Sequence, residues 1–209
     1  MSDLHLYTHP MSRGRIARWM LEELGEPYET EIIAFGPQMK AEGYRRINPM
    51  GKVPAIRHGD TVVTECAAIC AYLADAFPEA GLAPALNRRG DYYRWMFFAA
   101  GPLEAAVTNR SLNVEVPQER KGMVGYGSFE TVMDTLEKAL SGRQFVAGDR
   151  FSAADVYVGA HVGWGLQFGS IEKRPAFEAY FSALSARPAY QRARALDDAA
   201  VAELQKTTA

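Results

Sequence analysis

Over the first 80 residues, apolar positions come in short alternating runs separated by helical ones. Leu4 to Thr8 is a brief β-rich run that stops at His9-Pro10, which predicts a strand. From Arg15 to Leu24, the residues Ile16, Trp19, Met20 and Leu24 fall on helical spacing, and Gly25 supplies the stop. Tyr28 to Phe35 predicts a second strand, with Thr30 and Ile32 opposite Glu29 and Glu31. A weaker helical pattern follows from Pro37 to Arg46. Val53 to His58 and Thr61 to Thr64 are two more strands, joined by Gly59-Asp60, the chemistry of a tight hairpin. Cys66 to Phe77 reads as a strongly apolar helix before Pro78. The order β-α-β-α-β-β-α calls for one sheet with helices against it, an α/β domain over residues 1–80.

The rhythm changes after Pro78. A small-residue and proline stretch at about residues 81–86 reads as a linker, and residues 87–209 predict an all-α domain. Its helices are expected at Gly90 to Asn109, roughly Gly122 to Leu140, Ala154 to Leu166, Pro175 to Ala186, and from Pro188 onward. Ser152 to Asp155 fits a capping box, with Phe151 and Val156 where a hydrophobic staple belongs. The first of these helices carries two apolar stripes: Tyr92, Trp95, Met96, Ala99 and Leu103 on one, Tyr93, Phe97 and Ala100 on the other. One stripe belongs in the helix's own core, and the second is expected at a ligand cleft or a subunit interface. Pro102 lacks an N–H and is expected to kink the helix near Phe98.

Charge narrows the classes of partner. The 23 Lys+Arg against 25 Asp+Glu leave a net charge of −2, which supplies no field to hold phosphates or an anionic membrane. No nucleic-acid or membrane partner is expected. Met1 to Pro10 carries Asp3, His5 and His9 where an export signal needs an apolar run, so a cytoplasmic protein is expected. Cys66 and Cys70, four apart on an apolar helix, are poorly aimed to bridge each other and match no redox or zinc spacing. The four histidines form no ligand spacing, and P-loop, GxGxxG, HExxH and nucleophile-elbow motifs are missing, so no metal is expected.

Three strand-to-helix or loop features of the first domain carry chemistry. His9-Pro10-Met11-Ser12-Arg13-Gly14-Arg15 leads into a helix N-terminus, where an anion is stabilised and Ser12 adds a hydroxyl. Ser12 equally fits a plain N-cap. In Asn48-Pro49-Met50-Gly51-Lys52-Val53-Pro54, a cis Val53-Pro54 bond would turn the Val53 N–H and C=O outward toward an extended peptide. Lys52 beside them is either a carboxylate partner or a solvated surface charge. Thr64-Glu65-Cys66-Ala67-Ala68-Ile69 offers helix N–H groups to a carboxylate and Glu65 to an ammonium, or else a favourable first-turn acid and a small buried thiol. Together the three suit a short zwitterionic peptide carrying a thiol.

These segments resemble a known family. Leu6-Tyr7, Pro10 to Arg15, Arg18-Trp19 and Leu21 to Gly25 look like the start of a bacterial cytosolic glutathione S-transferase of the serine type, theta-, zeta- or tau-like. Asn48-Pro49, Gly51 to Pro54 and Glu65 to Ile69 are similar to that family's two glutathione-binding segments. Trp95 to Glu104 and Phe151 to Asp155 are similar in the helical half. The resemblance implies a thioredoxin-like N-terminal domain, a helical-bundle C-terminal domain, a homodimer, and glutathione as cosubstrate in detoxification chemistry.

By position, the resemblance makes Ser12 the catalytic hydroxyl at the glutathione sulfur. Val53 would pair with the cysteinyl backbone, Lys52 would lie near the glycine carboxylate, and Glu65 with the Cys66 N–H would hold the γ-glutamyl end. Lys40 is a further candidate for the glycine end. Tyr92, Trp95 and Phe98 are candidates for an electrophile pocket, with core packing as the competing fate. The family has Ser after the Glu where this chain has Cys66, a far weaker donor. The expected reaction joins the glutathione thiolate to a small apolar electrophile. Its rivals are a glutathione-dependent isomerase, peroxidase or dehalogenase, and a non-catalytic interaction module on the same fold.

Overall fold

The computed structural model describes residues 3–208. Strands β1 (Leu4–Thr8), β2 (Glu29–Ile32), β3 (Ala55–His58) and β4 (Thr61–Thr64) form a mixed sheet in the order β2-β1-β3-β4. β1 runs parallel to β2 and antiparallel to β3, and the hairpin adds β4 antiparallel to β3. Helix α1 (Gly14–Leu24) buries Ile16, Trp19, Met20 and Leu24, and Gly25 ends it in the left-handed region at φ 80°. The expected helix over Pro37 to Arg46 is two single turns, α2 (Pro37–Lys40) and α3 (Glu42–Arg45), broken where Ala41 is extended at ψ 150°. Helix α4 (Cys66–Ala76) buries Ile69, Cys70, Leu73 and Ala74 and packs on α1. A smaller core of Tyr7, Ile33, Met39, Tyr44 and Ala55 fixes α2 and α3. This is the thioredoxin-like βαβαββα arrangement.

The helical unit begins with α5 (Gly90–Phe98), a π-helical turn at Ala99–Leu103, and α6 (Glu104–Ser111). At Pro102, where a kink is expected, the helix widens: the Glu104 N–H reaches the Ala99 carbonyl, five residues back. Widening absorbs a residue that cannot donate. Helix α7 (Phe129–Leu140) starts at the Ser128 cap, and the stretch from Gln118 to Met123 is a 3₁₀ segment instead of α-helix. Helices α8 (Ala153–Phe168) and α9 (Pro175–Ser185) complete this unit, with α8 packed on both α5 and α9. Two glycines of α8 admit close packing: a Cβ at Gly163 would strike the Phe181 ring, and one at Gly165 would lie 2.6 Å from Ile171.

The last helix, α10 (Pro188–Thr208), packs on α1. The chain's compact units are accordingly residues up to Leu82 together with those from Ala186 onward, and Ala83–Ser185. The sequence reading ran the helical domain continuously from 87 to 209. Packing instead assigns its final stretch to the first unit, through contacts nearly the whole chain apart: Arg18 to Asp197, Glu23 to Arg187, Glu22 to Arg192, and the Trp19 ring edge-on to Tyr190.

Candidate functional site

Strand register brings the three chemical segments together. Tyr7 pairs with Ala55, and Ala55 with Thr64, so one row crosses β1, β3 and β4. The residues just beyond that row are Thr8-His9, Val53-Pro54 and Glu65. An edge of this kind, where strands run out into loops and helix starts, is where α/β sheets offer ligand sites.

The loop from β1 to α1 is held largely by bonds between side chains and its backbone. His9 is buried, its ring lies 3.8 Å from that of Phe35, and its Nδ1 accepts the Met11 N–H at 3.2 Å. That bond requires a neutral ring, and burial lowers the His9 pKa below its ordinary 6.5. The His9 carbonyl accepts two bonds from Ser12, from its N–H at 3.1 Å and from its hydroxyl at 2.7 Å. The Ser12 Oγ in turn accepts the Gly14 N–H at 2.9 Å. Ser12 thus caps the first N–H of α1 from the position before Arg13, the N-cap residue, whose own side chain makes no cap bond. Gly14 is required here, because a Cβ would collide with the Thr8 side chain.

The second segment is braced from beneath. The Lys52 carbonyl accepts from Tyr44 OH at 2.7 Å and Asn48 Nδ2 at 2.8 Å, while the Asn48 side-chain oxygen accepts the Met50 N–H. Burial pushes the Tyr44 hydroxyl up to about 12, so it stays a donor. Lys40, a candidate for the glycine end, spends its ammonium on the Met50 and Gly51 carbonyls at 3.2 and 2.8 Å. Gly51 sits at φ 57° with room for nothing larger, since a Cβ would lie 2.7 Å from the Met39 carbonyl. The Lys52 side chain remains exposed. The Val53-Pro54 bond is cis, as the sequence suggested, and the Val53 N–H and C=O pair with no other described residue.

At the third segment, Glu65 is exposed and holds φ 66° and ψ 121°, an uncommon backbone for a residue with a Cβ. Such outliers concentrate at ligand clamps. Its carbonyl accepts the Ile69 N–H at 2.8 Å, which starts α4. Cys66 is buried, and its thiol donates to the Arg13 carbonyl at 3.6 Å, which ties the α4 start to the α1 start. Cys70 is fully buried, and burial, with Cys66 beside it, pushes its thiol well above the ordinary range. It has no surface from which to react.

The three aromatic candidates for an electrophile pocket divide. Tyr92 and Trp95 are 1% and 3% exposed and belong to the stripe of α5 that faces the core of its own unit. Phe98 is half-buried, edge-on to Trp95 at 5.3 Å. Tyr44, Asn48 and Arg15, which brace these loops through backbone carbonyls, were not singled out from sequence. Asn48-Pro49-Met50-Gly51 carried the signal of a side-chain-closed turn, whereas Tyr44 and Arg15 read as ordinary helical positions.

Comparison with known proteins agrees with this layout. Family models for the N-terminal and C-terminal domains of glutathione S-transferase match residues 11–76 and 104–183. Glutathione S-transferase A of Pleuronectes platessa is 30% identical over 182 residues, which cover 81% of this chain and 80% of its own. The crystal structure of a glutathione transferase from Methylococcus capsulatus strain Bath is 30% identical with a TM-score of 0.77, over 93% of this chain and 98% of that one. A sphingomonad glutathione S-transferase solved in complex with glutathione is 28% identical with a TM-score of 0.74, over 93% and 98%. With both family domains matched in order, and its four-stranded mixed sheet ending in the loops described above, the chain belongs to the glutathione S-transferase family and is a glutathione transferase.

Proposed function

We propose that this enzyme is of the serine type and joins the glutathione sulfur to a small apolar electrophile, with the Ser12 hydroxyl as the donor to that sulfur. The observation that carries this reading is the single row Tyr7–Ala55–Thr64, beyond which the segments that carry Ser12, Val53 and Glu65 all leave the same end of the sheet. The Val53 N–H and C=O pair with the cysteinyl backbone, Lys52 meets the glycine carboxylate, and Glu65 with the Cys66 N–H meets the γ-glutamyl end. Lys52 is opposite in charge to the glycine carboxylate and Glu65 to the γ-glutamyl ammonium.

At Ser12 the Gly14 N–H occupies an Oγ lone pair, so the hydroxyl has a single proton to give, and without ligand it goes to the His9 carbonyl. Turning that proton onto a thiolate gives up a neutral hydrogen bond of about 0.5–1.5 kcal/mol and gains a charged one of about 1.5–3 kcal/mol. The Gly14 N–H stays on Oγ throughout and polarises the donor. A thiol of pKa about 8.5 is roughly 3% ionised at pH 7, and at a pKa of about 6.5 roughly three-quarters is ionised. The thiol proton leaves to solvent. The sulfur lone pair then forms the S–C bond, and the leaving group departs with its electron pair or, in an addition, the carbanion takes up a proton. Ionisation supplies only about 25-fold, so the remaining acceleration comes from holding the electrophile against the sulfur.

Conjugation of a chromogenic aryl halide tests the assignment. Ser12→Ala should lower kcat/KM by about ten- to a hundredfold, the value of one charged hydrogen bond. A rate within twofold of wild type would remove Ser12 from the chemistry.

A homodimer and a cytoplasmic location complete the proposal. The outward stripe of α5 leaves Phe97 70% and Tyr93 41% exposed, an apolar strip suited to a second copy of the chain. Both cysteines are free, which suits a reducing compartment. Light scattering should give the mass of two chains at micromolar concentration; the mass of one would overturn the dimer.

A further inference from the structure

The β1–α1 loop is fastened at a second point that capping does not explain. Arg15 donates from Nε to the Pro10 carbonyl at 2.5 Å and from Nη1 to Asp198 Oδ1 at 2.8 Å. Pro10 directly follows His9, whose carbonyl holds the Ser12 hydroxyl. Asp198 lies on α10, near the far end of the chain. We propose that Asp198 is a positioning residue for the thiolate site: it orients the Arg15 guanidinium, Arg15 pins the Pro10 carbonyl, and the pinned loop holds Ser12 where its proton can turn onto sulfur. The proposal rests on Ser12 being the sulfur's donor.

Asp198 is poorly suited to a merely structural task. Its side chain is half exposed, and exposed ion pairs contribute little to folding. α10 is already fastened to α1 elsewhere: by the buried pair of Arg18 and Asp197 at 2.8 Å, by two bonds from Arg187 to Glu23 at 2.7 Å each, and by Arg192 to Glu22 at 2.9 Å. Removing Asp198 leaves all of these. Arg194, its other neighbour at 3.4 Å, reaches no group of the Ser12 loop.

The sign of the effect separates positioning from simple electrostatics. A carboxylate near the sulfur disfavours a thiolate, so deleting Asp198 for its charge alone would lower the thiol pKa. Loss of positioning raises it. The measurement is the pH titration of the glutathione thiolate absorbance on wild type, Ser12→Ala, Asp198→Ala, Asp198→Glu and Arg192→Ala, with calorimetric glutathione affinity and thermal midpoint beside it. Asp198→Ala should raise the bound thiol pKa by about half a unit, lowering the thiolate fraction at pH 6 about threefold, with affinity and midpoint nearly unchanged. Asp198→Glu should restore most of it, and Arg192→Ala, which cuts a tie of the same helix away from the loop, should leave the pKa at the wild-type value. A fall in pKa for Asp198→Ala, or an equal shift for Arg192→Ala, overturns the proposal while leaving Ser12 intact. An unchanged pKa in Ser12→Ala would instead overturn the assignment of Ser12 on which it stands.

Discussion

Of the serines that precede helices in this chain, Ser152 and Ser12 have opposite surroundings. Ser152, at the start of α8, is 3% exposed, and its hydroxyl and N–H both meet Asp155 Oδ2, at 3.1 and 3.0 Å. The other oxygen of Asp155 accepts the Val146 N–H at 2.7 Å and the Tyr180 hydroxyl at 2.9 Å. Every polar group there is satisfied by a buried carboxylate. Ser12, at the start of α1, is only half-buried, and its proton rests on a carbonyl of its own loop. The first serine is locked because its partner is charged and buried. The second is available because its partner is neutral and exchangeable for something better. Sequence position does not separate the two; the identity of the acceptor does.

Changing the locked site should have the largest effect. Asp155→Ala strands the Val146 N–H, the Tyr180 hydroxyl and the Ser152 N–H in the interior, at about 3 kcal/mol or more in total. For a chain of this size that lowers the melting temperature by roughly 6–12 °C. Calorimetry showing a shift under 2 °C would mean that water satisfies those donors and that the two sites differ less than described.

The Ser12 substitution stands at the other pole, with a loss of turnover about ten- to a hundredfold and a melting temperature within a few degrees of wild type, since only two neutral hydrogen bonds are given up. The smallest expected effect belongs to the third helix start. Cys66 presents a thiol to the Arg13 carbonyl where the family has a hydroxyl. Cys66→Ser should tighten glutathione by several-fold, up to about tenfold, through a stronger donor at the γ-glutamyl end. Equal or weaker calorimetric affinity would remove that contact from the binding scheme.

What could be read from the sequence follows the range of the forces involved. The strand Leu4–Thr8, the hairpin at Gly59-Asp60, the helix closed by Gly25 and the Ser152–Asp155 box are set by neighbours a few residues apart, and each is found where the pattern placed it. The helix expected over Pro37 to Arg46 breaks at the extended Ala41, and Met39 and Tyr44 on either side of the break both enter the Tyr7–Ala55 core. Pro102 signalled an interruption correctly, but its form, a widened turn, depended on the surroundings. The fate of α10 was hidden in the sequence, because the charges that fasten it, Arg18 and Asp197 among them, lie 179 positions apart and each reads locally as a solvated helix face. The same holds at the site: the motifs gave Ser12, Val53 and Glu65 by resemblance, whereas Tyr44 and Arg15, which hold their loops through backbone carbonyls, leave no local mark.

In the proposed reaction Ser12, unlike Ser152, has a proton to lend. The most direct test of that difference is the thiolate absorbance of bound glutathione, titrated with pH on wild type, Ser12→Ala and Ser152→Ala. The account predicts a bound thiol pKa about two units below that of free glutathione in wild type, unchanged in Ser152→Ala where that variant folds, and returned most of the way to the free value in Ser12→Ala. A wild-type pKa equal to that of free glutathione, or one that Ser12→Ala leaves depressed, would contradict it.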